Sequence, residues 1–104
     1  MWSVDGARVE AVSDPAILLS TTSVYPDSTA SAFDFAAEVG FDGVELMVGV
    51  DQVSLDEEAI SELSDRYRVP VRSLHAPTLL ITQRAWGSDP WGKLQRSAEA
   101  AKRL

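Results

Sequence analysis

Cysteine is absent from the 104 residues, which excludes a disulfide framework, a thiolate zinc site and a cysteine nucleophile. A basic excess is missing as well. Nine Lys and Arg stand against sixteen Asp and Glu, a formal charge of −7, and no lysine- or arginine-rich run occurs, so the electrostatic footprint of a nucleic-acid binder is lacking. The three tryptophans are scattered, without the basic interleaving of a base-stacking surface. No apolar stretch approaches the about 20 residues of a membrane span. The opening Met1-Trp2-Ser3-Val4-Asp5 does not have the basic-then-apolar layout of a signal peptide. The expectation is a cytoplasmic chain with neither nucleic acid nor membrane as partner. No glycine-rich phosphate loop is present either.

What is there is 45% hydrophobic, enough for one domain with a core and short of the usual size for two. Ala16 to Ser20, with Ile17, Leu18 and Leu19 together, reads as a short strand covered on both faces. After Tyr25-Pro26-Asp27 a helix capped by Ser28 or Thr29 is expected, with Phe33, Ala36, Ala37 and Gly40 on one face and Gly40 as its left-handed stop. Gly43 to Met47 is a second strand. Ser54-Leu55-Asp56-Glu57 reads as a capping box that opens a second helix, carrying Ile60, Leu63 and Tyr67 inward and ended by Pro70. The acidic run Asp56-Glu57-Glu58 complements the macrodipole at that helix start. Val71 to His75 is a third strand, closed by Ala76-Pro77. Asp89-Pro90 caps a last helix to Leu104, with Trp91, Leu94, Ala98 and Ala101 as its buried stripe.

Strand starts at Ala16, Gly43 and Val71 are 27 and 28 residues apart, about one βαβ unit each. An α/β fold with parallel strands follows, either a (β/α) barrel or an open doubly wound sheet. Residues 1–15 fit neither repeat and read as an N-terminal arm, in which Val4-Asp5-Gly6-Ala7 can turn a small hairpin.

Parallel α/β folds meet their ligands at the carboxyl ends of the strands. Three places qualify: Thr21 to Tyr25, Glu45 and His75. A carboxylate in the apolar strand around Glu45 is costly to bury without a partner or a metal. It is either a functional group or a strand-end residue that faces solvent or pairs with Arg72. His75, the single histidine, can be an acid, a base, a metal ligand or a structural residue. Glu45 and His75 are expected at equivalent places on adjacent strands, where one small molecule can reach both. The long loop Pro77 to Gly87 reads either as a lid or as a segment packed over the rim through Leu79, Leu80 and Ile81.

Gly40-Phe41-Asp42-Gly43-Val44-Glu45-Leu46 resembles a segment common in xylose-isomerase-like barrels, and Val71-Arg72-Ser73-Leu74-His75-Ala76-Pro77 resembles their third strand with its H-A-P ending. The resemblance runs from about Ile17 to Leu104. It implies a partial TIM-type (β/α) barrel, with residues 16–104 as the N-terminal part of the domain in about three βα units. It also implies an isomerase or epimerase of a sugar or sugar phosphate, working by metal-assisted proton transfer with Glu45 and His75 at the site. A divalent metal (Mn, Mg, Zn or Co) is expected for the complete family barrel and none on this chain alone, because the family's usual metal ligands come from later strands. Two alternatives remain. One is an inert truncated domain or interaction module completed by a partner chain or by self-association through open sheet edges. The other is an apurinic-endonuclease-like metal hydrolase, which the acidity disfavours.

Overall fold

The computed structural model describes residues 15–77 and 85–104; the Val4–Ala7 turn and most of the Pro77–Gly87 loop lie outside them. Three strands form one parallel sheet in the order β1 (Leu18–Ser20), β2 (Gly43–Met47), β3 (Val71–His75). They alternate with α1 (Thr29–Val39), α2 (Glu57–Tyr67) and α3 (Pro90–Arg103), and a single 3-10 turn, Val53–Leu55, precedes α2. The repeat read from the strand spacing is therefore a repeat of βα units.

Strand alternation divides the sheet into two chemically different faces. Leu19, Val44 and Leu46 point to the helices and join Ala32, Phe33 and Ala36 of α1 and Ile60 and Leu63 of α2 in one buried cluster. Phe33, Val44 and Ile60 have no exposed surface. The other face carries Ser20, Glu45 and Ser73, which are register partners across all three strands.

Local chemistry sets the helix ends. Ser28 caps α1 by accepting from the Ser31 amide, and Gly40 stops it at φ 95°, a left-handed conformation that only glycine adopts cheaply. Ala37, expected inside, is exposed, and Thr29 and Ala32 take the inner face instead. α2 is capped by Asp56, whose Oδ1 accepts from the Ala59 amide at 3.1 Å. The Ser54 of the expected capping box belongs to the 3-10 turn, where its hydroxyl donates to the Asp51 carbonyl at 2.7 Å. Asp56 displaces it because the chain enters the helix two residues later than the motif implies. α2 ends at Arg68 in the left-handed region, two residues before Pro70.

Two further expectations are corrected. β1 begins at Leu18 and Ile17 is 62% exposed, because Ile17 stands at the sheet margin. There its amide donates to Asp42 Oδ2 and its carbonyl accepts from the Asp42 amide. In α3, capped by Asp89 with Pro90 at its first position, the apolar stripe does not face the core. Trp91 and Leu94 are 67% and 51% exposed, Ala98 and Ala101 are exposed too, and Lys93, Ser97 and Ala100 are buried in their place. The apolar pattern gave the right period and the wrong face.

Candidate functional site

The segment Gly40–Leu46 is accounted for almost side chain by side chain. Gly40 ends α1. Phe41 packs against the core and lies 6.5 Å, ring to ring, from Phe35. Asp42 pins the margin of β1 through Ile17. Gly43 passes so close to β3 that a Cβ would stand 2.6 Å from the Pro70 carbonyl oxygen. Val44 and Leu46 are core. Glu45 is the exception: its side chain is half-buried on the face away from the helices, held at Oε2 by a 2.7 Å bond from the Ser73 hydroxyl. Arg72, the partner considered from sequence, instead donates from Nε to the Asp42 carbonyl at 3.4 Å.

His75 is the last residue of β3 and the register partner of Met47. Glu45 lies two residues before Met47, so the two side chains share a face. They are diagonal neighbours rather than equivalents, with His75 one pleat repeat, about 7 Å, nearer the strand ends. The His75 Nδ1 lies 2.8 Å from the Ala76 carbonyl oxygen. A carbonyl can only accept, so Nδ1 carries the proton and, in the neutral ring, Nε2 keeps the lone pair. The ring is half-buried. Pro77 beyond it is fully buried, and its carbonyl accepts from Nζ of Lys93, a residue 7% exposed, at 3.4 Å. The Pro77 end of the H-A-P element is thus tied to α3 through Lys93.

The first strand end is used structurally. The Thr21 amide continues the ladder to the Glu45 carbonyl at 3.0 Å, and its hydroxyl, 1% exposed as a residue, accepts from the Met47 amide at 2.9 Å. Beyond it a cavity of about 160 Å³ is lined by Thr21, Tyr25, Pro26, Asp27, Ser28, Val50 and Asp51. The Asp51 carboxylate beside it is engaged by the Thr29 amide (2.8 Å) and hydroxyl (2.9 Å) and by the Ser54 amide (3.0 Å). It already fills the amino end of α1, where an anion would otherwise be favoured.

Sequence reasoning brought Glu45 and His75 to one face and missed Ser73, Asp51 and Lys93. Ser73 was legible in principle, being on β3 at the spacing that faces Glu45. Lys93 was not, since charged residues in a polar helix are ordinarily placed outward. Among the described residues no group of three or more His, Asp or Glu could hold a metal ion. None of the described helices is long and apolar enough to cross a membrane.

No protein-family profile matches the chain, and no solved structure matches it. Over 86 residues it is 58% identical to a protein of Mycobacterium leprae, and 57% identical to proteins of Mycobacterium bovis and Mycobacterium tuberculosis, each named only as an uncharacterized protein. Those residues are 83% of this chain and 31% of each relative. The chain therefore spans about a third of the length of the curated relatives it matches. With 86 residues making up 31%, the relatives run to about 280 residues.

Proposed function

We propose that the chain is the N-terminal part of a xylose-isomerase-like barrel and that its strand-end face contributes Glu45 and His75 to the site of a sugar or sugar-phosphate isomerase or epimerase. The observation that carries the reading is Glu45, a carboxylate kept half-buried in a strand whose neighbours all serve the fold. Three supports stand beside it. A doubly wound sheet covers both faces with helices and needs both apolar, whereas here the face away from the helices mixes Ser20, Glu45, Ser73 and His75 with Leu18 and Met47. Relatives of about 280 residues suit a complete barrel, which takes about 250. The sheet order and the βα alternation are compatible with successive barrel units.

In this reading Glu45, with one lone pair engaged by Ser73, accepts hydrogen bonds from sugar hydroxyls. His75 takes or returns a proton at Nε2, and the Ala76 carbonyl steadies the imidazolium through Nδ1. The described residues do not make up a metal site, so no step is assigned to a metal here; in a complete barrel its ligands would come from other strands.

The test is solvent-deuterium incorporation next to the carbonyl, read by NMR. The full-length M. tuberculosis relative is offered aldoses, ketoses and their phosphates with Mn, Mg, Zn or Co. Exchange with at least one sugar is expected, and none across the panel would overturn the reading.

A further inference from the structure

What His75 can do at the end of β3 depends on which ring nitrogen carries the proton. Nδ1 lies 2.8 Å from the Ala76 carbonyl oxygen. That carbonyl belongs to the peptide joining Ala76 to Pro77, so whatever fixes Pro77 also fixes the acceptor. Pro77 is fully buried; its ring locks its own φ and disfavours helical backbone at Ala76. On its far side stands Lys93, whose Nζ donates to the Pro77 carbonyl at 3.4 Å and which is only 7% exposed. Two costs oppose a lysine in this place. Burial disfavours its charge, and the opening turn of α3 is the positive end of the helix dipole. Leu94 and Trp91 on the same helix are exposed, so apolar side chains were at hand for the inward position. The lysine is better accounted for by what it touches than by what it buries.

We propose that Pro77 and Lys93 are positioning residues for His75: together they fix the Ala76–Pro77 peptide, hold the ring as the Nδ1–H tautomer, and so present Nε2 to a ligand as an acceptor. The neutral ring then has a lone pair and no proton at Nε2. It suits a donor on the ligand, a hydroxyl or an acidic C–H beside a carbonyl, and gives nothing to a carbonyl oxygen until it has taken that proton. The fold thereby sets the order of events at His75, base first and acid second. The Glu45 carboxylate, engaged at Oε2 by the Ser73 hydroxyl, is an acceptor too. Both groups on this face therefore call for donors, and a ligand's carbonyl oxygen must be met by groups outside this pair. The tautomer is a property of the ring whether or not a sugar is the substrate, so a protein that fails the sugar-exchange assay can still show it, and one that passes can still lack it.

The test is long-range proton–nitrogen NMR of the imidazole in the isotope-labelled 104-residue chain, at about pH 9, where an ordinary imidazole is neutral. The chain holds one histidine, so a single ring pattern arises. Nδ1 protonated and Nε2 bare is the expected pattern. K93M, which keeps an apolar stem of similar length, and P77A should each lower the ratio of Nδ1–H to Nε2–H by about threefold or more, the effect of loosening one hydrogen bond, while the backbone amide spectrum of the strands is retained. A merely structural role would not move that ratio in a folded variant. Nε2–H as the main form of the unaltered chain, a ratio unmoved in a variant that folds, or loss of the fold in both variants would each overturn the proposal.

Discussion

His75 and Glu45 take little part in the hydrophobic core. Each is half-buried, outside the hydrophobic cluster, and the His75 ring bonds only to the carbonyl of the next residue among the described ones. Replacing His75 by alanine should change unfolding free energy by no more than about 1 kcal/mol in denaturant titration. A loss of several would mark the imidazole as structural. Gly43 is the contrasting residue in the same segment. Its alanine variant forces a Cβ to within 2.6 Å of the Pro70 carbonyl oxygen, a backbone atom that cannot swing away, so G43A should cost about 1–3 kcal/mol and loosen the β2–β3 pairing in hydrogen exchange. Gly40, Asp42 and Gly43 thus serve the fold, whereas the Glu45 side chain lies outside the hydrophobic cluster. Sequence pattern alone could not make that separation, because it does not record what a side chain touches.

The helices are held by different means. α1 is anchored through Phe33, fully buried, and F33A should cost about 3–5 kcal/mol. α3 is tied to α2 by charge, and the Arg103 guanidinium holds the Glu57 carboxyl below its ordinary range, chiefly through their hydrogen bonds. A lowered folded-state pKa contributes stability that is present above the unfolded value and lost as pH falls through the folded one. The α2–α3 junction should therefore loosen in acid and at high salt. E57Q should flatten that limb of the Tm-against-pH curve, and an unchanged curve would show that the bridge does not couple to folding. Strand and helix positions were legible because period, capping residues and glycine stops act locally: Ser28, Gly40 and Asp89 do as their chemistry requires. The buried face of α3 was not legible. Periodicity identifies an apolar stripe but not what meets it, and here Lys93, Ser97 and Ala100 are turned inward while Leu94 waits on an uncovered side. Ser54 and Asp56 offer equivalent caps two residues apart, and only the path of the 3-10 turn decides between them.

At the scale of the whole molecule, no described helix covers the face of the sheet that carries Ser20, Glu45, Ser73 and His75. Ser20, Glu45, Ser73 and His75 form one layer and the beginning of the next, whereas in a complete barrel strand-end groups from several strands converge on a substrate. Proton transfer beside a carbonyl also needs the developing oxyanion stabilised, which in a metal-dependent site requires a cation fixed by several converging ligands. One histidine and one glutamate do not supply that set, and the described residues hold no group of three candidates. The 104-residue chain alone should therefore show no isomerase turnover with Mn, Mg, Zn or Co at any concentration, in the same deuterium-exchange assay in which the full-length relative is expected to be active. If the isolated chain turned over a sugar in a metal-dependent way, with H75A abolishing the activity, three units would suffice for a working site and the division of labour between these strands and later ones would be wrong.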